Sequence, residues 1–122
     1  MSTNYNVEIV ETSSELTKKQ RVQLKTNSGE KLDELAPIVI DNISGYAKLK
    51  IDNPSVKSNP TYEHFVIYTE DGNMFYTGSP TFMQAFMSIW EEMSGEKDWG
   101  IEVFKRDSRN YAGKQFLTCR LV

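Results

Sequence analysis

Cysteine and histidine are almost absent from this chain. Cys119 is the only cysteine and His64 the only histidine in 122 residues. An internal disulfide is therefore excluded, which suits a reducing, cytoplasmic setting. Zinc-ligand spacing is missing as well, because it needs several Cys or His side chains. There is no phosphate-binding glycine loop and no dinucleotide fingerprint. No run approaches the roughly 18 apolar residues of a membrane span. The opening "MSTNYNVEIV" lacks the charged-then-apolar order of a secretion signal. No segment repeats at a fixed period or is low in complexity. Together these gaps lead to the expectation of a single domain over residues 1–122 that is not an enzyme, carries no metal or cofactor, and has no membrane partner. Cys119 lies in an apolar strand pattern and reads as a small core residue. Glu91, Glu92 and Glu96 fall on the polar side of an amphipathic helix, where solvation explains them.

The charge is uneven. The formal net charge is −3, which argues against a general polyanion binder. Residues 99–122, however, hold Lys105, Arg106, Arg109, Lys114 and Arg120 against Glu102 and Asp107, a local balance of +3. Acid gathers elsewhere, at Glu91, Glu92, Glu96 and Asp98. A basic end of this kind serves either phosphate contacts or simple solubility.

Alternation of Val7 and Ile9 in "YNVEIVE" predicts a strand, and "QRVQLKT" predicts another through Val22 and Leu24. "NSGEKLDELAP" reads as a loop with room for one helical turn before Pro37. "IVIDNISGYAKLKI" offers one or two strands around a break at Ser44-Gly45, and "DNPSVKSNPT" is a surface loop with two Asn-Pro turn signals. Asp71-Gly72 between two alternating runs predicts a two-residue hairpin turn. That register would pair Tyr68 with Phe75 on one face and leave Phe65, Ile67, Met74 and Tyr76 on the other as core. A helix follows, with Ser79 as its cap, Pro80 in its first turn and Gly95 past its end. Phe82, Phe86, Ile89, Trp90 and Met93 form its apolar face. A second hairpin closes the chain, with Ile101, Val103, Leu117, Cys119 and Leu121 inward and Phe104, Arg106, Phe116, Thr118 and Arg120 outward.

The expected fold is mainly β within the α+β class: a curved antiparallel sheet, or a barrel like the oligonucleotide-binding barrel, with one amphipathic helix before the last two strands. A generic open sheet packed on one helix is the alternative. Aromatics interleaved with cations on a sheet face suit single-stranded nucleic acid. Bases stack on the rings, worth roughly 1–3 kcal/mol each, and cations track the phosphates. The candidate side chains are Tyr46, Lys48 and Lys50 on one strand, Tyr68 and Phe75 on the hairpin, and Phe104, Arg106, Arg109, Lys114, Phe116 and Arg120 at the C-terminal end.

The stretches "VIYTEDGNMFYTGS", "PTFMQAFMSIWEEM" and "IEVFKRDSRNYAGKQFLTCRLV" resemble the small single-stranded DNA-binding proteins of tailed phages that replicate by protein priming. The resemblance extends to the tyrosine of "SGYAKLK" and covers about half the chain. It implies a barrel-like domain in a bacterial host cell that coats single-stranded DNA displaced during replication. It also implies base-stacking roles for Tyr46, Tyr68 and Phe75, with Tyr62 a looser match. Phe75 stands where that family has a tyrosine, which keeps stacking and removes a hydroxyl. The helix face, including Trp90, is rich enough to pack a partner subunit as well as the sheet, and a replication protein is a further partner class.

The rival expectation is an interaction or inhibitor protein of phage origin that binds a host factor through its acidic end or sequesters a nucleotide. Placement of the cations separates the two: one groove shared by Lys48, Lys50, Lys105, Arg106, Arg109, Lys114, Arg120 and the aromatics favours DNA, while scattered cations favour the rival. On the sequence register, replacing Tyr68 and Phe75 with Ala is expected to weaken single-strand binding in an oligonucleotide titration and to leave the fold intact. An unfolded double variant would mean that the two faces are assigned backwards.

Overall fold

Phe65, Val66, Ile67 and Tyr68 form an unbroken apolar run, and all four are buried. In a computed structural model that describes residues 6–13, 16–26, 29–52, 61–108 and 113–122, this run is the middle of a central strand covered on both faces. The strand, β5 (Thr61–Thr69), pairs antiparallel with β4 (Ile43–Asp52) on one side and β6 (Met74–Thr77) on the other. Outside β4 lies β1 (Asn6–Thr12), antiparallel, and outside β6 lies the two-residue β2 (Glu30–Lys31), parallel. A second, three-stranded sheet has the order β3 (Ile38–Ile40), β7 (Ile101–Asp107), β8 (Gln115–Leu121). The described residues thus form two separate sheets with no barrel closure. The expected curved sheet or oligonucleotide-binding barrel is not the fold; it is a mixed α+β arrangement of a five-stranded and a three-stranded sheet.

Each face of the five-stranded sheet has its own apolar cluster. On the first face, Tyr46, Phe65 and Ile67 meet Phe82 and Phe86 of helix α3 (Pro80–Met93), together with Ile40, Ile101, Val103, Leu117 and Cys119 of the second sheet. On the second face, Val7, Ala47, Leu49, Ile51 and Val66 pack with Leu24 of helix α1 (Lys18–Thr26). Burying side chains this large on two sides of one strand is the main source of stability, at about 1.5–3 kcal/mol for each large apolar side chain.

Helix α3 begins and ends as its sequence signals indicate. Ser79 Oγ accepts from Phe82 N at 3.2 Å, Pro80 opens the first turn, and Gly95 follows the end at φ +93°. Phe82 and Phe86 are wholly buried, and Ile89, Trp90 and Met93 pack against the same cluster. The helix is tied to the second sheet by the Thr81 hydroxyl, which donates to the Leu117 carbonyl at 2.8 Å.

Two expectations are corrected. "QRVQLKT" is helical, within α1, although Val22 and Leu24 alternate as a strand would. The signal that decides it is Thr17-x-x-Gln20, a reciprocal cap: Thr17 Oγ1 accepts from Gln20 N at 3.1 Å and Gln20 Oε1 accepts from Thr17 N at 2.9 Å. Lys, Arg, Gln and Leu then favour the helix over a strand. The break between the two central-third strands lies at Asp41 and Asn42, with Asn42 at φ +56°. Ser44-Gly45 is instead a bulge inside β4. Gly45 is required there, because a Cβ would stand 2.6 Å from the Tyr68 ring. "NSGEKLDELAP" does contain its helical turn, α2 (Leu32–Leu35), preceded by β2. Most of the Asn-Pro loop, residues 53–60, lies outside the described residues.

The helical assignment of α1 makes Leu24 and Val22 very unequal, with 1% and 59% of their surface exposed. Leu24→Ala is expected to lower stability by about 2–5 kcal/mol in urea unfolding, whereas Val22→Ala leaves it within about 0.5 kcal/mol. Equal losses would restore the strand.

Candidate nucleic-acid interface

The turn between β5 and β6 decides where the predicted stacking residues go. It holds three residues, Glu70, Asp71 and Gly72, rather than two: Thr69 N donates to Asn73 O at 3.0 Å, and Gly72 sits at φ +88°. One extra turn residue shifts the pairing by one and turns β6 over. Tyr68 therefore faces Met74 and Ile67 faces Phe75. Tyr68 and Phe75 lie on opposite faces and are not the cross-strand pair that the two-residue turn predicts. Phe75 packs against the first cluster. Tyr68 is 7% exposed, with its hydroxyl 3.3 Å from Ser13 Oγ.

Tyr46 is also buried. Its ring stacks on Phe65 at 5.5 Å and meets Trp90 edge-on at 5.5 Å, and its hydroxyl donates to Glu11 Oε2 at 2.7 Å. Burial, with the Glu11 carboxylate beside it, pushes the phenol up to about 12. The same hydrogen bond is the main reason that Glu11 is held below the ordinary carboxylate range. The β4 cations are matched by neighbouring acids. Lys48 Nζ is 3.5 Å from Glu11, and Lys50 lies directly across from Glu8 on β1 and Glu63 on β5. Cross-strand partners share a face at Cβ separations of roughly 4.5–5.5 Å, so these lysines belong to a ladder of alternating charge.

Tyr62 begins an aromatic row that the two-residue turn register does not assemble. Its ring is 5.3 Å from His64, which stacks at 4.8 Å on Tyr76. All three are half-buried on the second face. Burial, then the positive charge of Lys31, hold the His64 imidazole below its usual range, with Asp33 opposing. The alternation of residues 62, 64 and 66 carried this signal, but it emerges only once β6 is turned over.

The C-terminal hairpin keeps the predicted sides. Phe104 faces Thr118, Arg106 faces Phe116 and Glu102 faces Arg120 in register, with Val103 and Cys119 on the opposite side in the core. Leu121 is the exception to the inward set, at 46% exposed. Phe104 and Phe116 are half-buried and belong to neither apolar cluster, and Lys105, Arg106, Lys114 and Arg120 are exposed. Arg120 lies over the Phe104 ring, 5.2 Å from its centroid. Arg109 lies outside the described residues. Of the candidate residues, then, Phe104, Arg106, Phe116 and Arg120 share one outer face, Lys114 lies at the hairpin's far end, and the β4 and β5 residues lie elsewhere. Cys119 is buried, and desolvation pushes its thiol up to about 12, which favours the protonated form over the thiolate. Among the described residues no cluster of acids, His and Cys could hold a metal, and no helix is long and apolar enough to cross a membrane.

No family model matches the chain, and neither a curated protein nor a solved structure matches it. The phage resemblance rests on the quoted motifs alone.

The depressed His64 gives a pH dependence with a definite sign. Because the fold favours the neutral ring, the unfolded chain takes up a proton first, and stability falls as pH drops below the ordinary imidazole value of 6.5. Urea unfolding between pH 7.5 and 5.5 is expected to show this decline, and His64→Gln to flatten it. An unchanged slope in the variant would assign the decline to other groups.

Proposed function

We propose that the chain binds single-stranded DNA through the outer face of β7 and β8. The observation that carries this reading is the grouping of Phe104 and Phe116, outside both cores, with Arg106 and Arg120 on the same face. Flat rings standing out from a sheet offer stacking surfaces that any base can use, and the cations beside them suit phosphates. Arg106, Lys105 and Lys114 are in no ion pair among the described residues, so their charge is available to a polyanion. The platform is smaller than the full set of candidate residues, because Tyr46 and Tyr68 are core residues and Lys48 is paired. A role in coating displaced strands during replication is supported by the motif resemblance only.

A second reading has its own observation. The candidate cations fall on two separate surfaces, β4 and the C-terminal hairpin, while Glu91, Glu92, Glu96 and Asp98 are all exposed at and just beyond the end of α3. That arrangement suits an interaction protein whose acidic end meets a basic partner.

Fluorescence anisotropy with a labelled dT oligonucleotide, over a salt series, separates the two. Saturable binding is expected at low salt, weakened by about 1–3 kcal/mol in either Phe104→Ala or Phe116→Ala. Arg106→Gln is expected to reduce the slope of log affinity against log salt by about 0.7, the loss of one phosphate contact. Absence of binding at low salt, where phosphate contacts are strongest, would overturn the DNA reading and leave the acidic end as the functional surface.

A further inference from the structure

One cation of the proposed platform is already occupied. Arg120 Nε donates to Glu102 Oε1 at 2.7 Å, and Arg120 Nη2 lies 2.5 Å from the same oxygen. Its guanidinium also covers the Phe104 ring at 5.2 Å from the centroid. Register explains both contacts: Glu102 is directly opposite Arg120, and Phe104 is one step along the same face, on the diagonal. Arg106, opposite Phe116 at the other end of the face, has no such partner among the described residues. The two ends of the platform therefore differ, one with a free arginine and one with an arginine held by an acid across an aromatic ring.

A guanidinium offers the same planar fork of donors to a carboxylate and to a phosphate, so the two are interchangeable ligands for Arg120. The pair is open to solvent, with the Arg120 and Glu102 side chains 68% and 30% exposed. Exposed pairs of this kind are weak, which lets the carboxylate compete with a phosphate without blocking it. We infer that Glu102 is a built-in competitor for the phosphate backbone: it holds Arg120 over Phe104 in the free protein, and a single strand binds there by taking Arg120 from the carboxylate. Glu102 thus sets the affinity of the platform. This rests on the nucleic-acid reading of the β7–β8 face.

The test is a double-mutant cycle of the wild type, Glu102→Gln, Arg120→Gln and the double variant, each titrated with the labelled dT oligonucleotide at low salt. Glu91→Gln, a lost charge at the end of α3, is the control for net charge. Removing the competitor is expected to tighten binding roughly two- to fivefold when Arg120 is present, in line with the weakness of exposed pairs. The gain should be much smaller in the Arg120→Gln background and near zero for Glu91→Gln.

An equal gain with and without Arg120 would reduce Glu102 to simple repulsion of phosphate and overturn the inference. No gain from Glu102→Gln, with Phe104→Ala still weakening the wild type, would overturn the competitor and leave the platform standing. Absence of binding by all four proteins would overturn both. Glu102→Thr, which keeps strand preference, repeats the measurement if Glu102→Gln lowers the melting temperature.

Discussion

The double burial of β5 is the constraint on which the rest of the molecule depends. A strand with Phe65 and Ile67 on one side and Val66 and Tyr68 on the other has no face left for solvent, so two covers are needed. Helix α3 and the second sheet supply one, and the N-terminal helix α1 contributes to the other. The bulge at Gly45 follows from the same constraint. Tyr68 reaches across β4 to Ser13, and only a residue without a Cβ leaves room for its ring. The aromatics that look like a binding surface in the sequence are largely the means by which a small sheet fills two cores.

Charge is arranged on the same logic. Where β1, β4 and β5 run side by side, Glu8, Glu11 and Glu63 stand against Lys48 and Lys50, and the sheet compensates its own charge within a few ångströms. Among the described residues the C-terminal hairpin does this only once, at Glu102 and Arg120, and leaves Lys105, Arg106 and Lys114 unmatched. In a chain of net charge −3, a polyanion meets a favourable potential only where such compensation stops.

How much of this was legible in the sequence depended on whether the signal was local. The α3 helix was readable because Ser79, Pro80 and Gly95 mark its ends and Phe82 and Phe86 repeat at helical spacing. The outward and inward sets of β7 and β8 were readable from alternation alone, and the core residues Ile101, Val103, Leu117 and Cys119 fall where alternation puts them. The β5–β6 register was not, because Asp71-Gly72 fits either a two- or a three-residue turn, and the difference of one residue moves Phe75 to the other side. The run Phe65 to Tyr68 did carry the sign of burial on both faces, since a half-exposed strand alternates and this one does not. The covers themselves could not be read from β5: the Thr17-x-x-Gln20 cap announces a helix but not the surface on which it lands. Barrel closure is a matter of non-local pairing, which strand count and order leave open.

The size of the remaining platform has a consequence for how it could work. Two stacked bases at roughly 1–3 kcal/mol each give about 2–6 kcal/mol in favourable contacts, while a 1 mM dissociation constant already corresponds to about −4.1 kcal/mol. The unpaired cations add phosphate contacts, but these fade as salt rises. On the proposed reading, a single hairpin of this kind would therefore hold one strand only modestly. Tight coverage of a long strand would have to come from many copies bound side by side, with contacts between neighbouring copies adding to the hold of each on the strand. On the proposed reading, Glu102 would have leverage beyond its own size in that regime, because a small free-energy change per copy adds up along the strand.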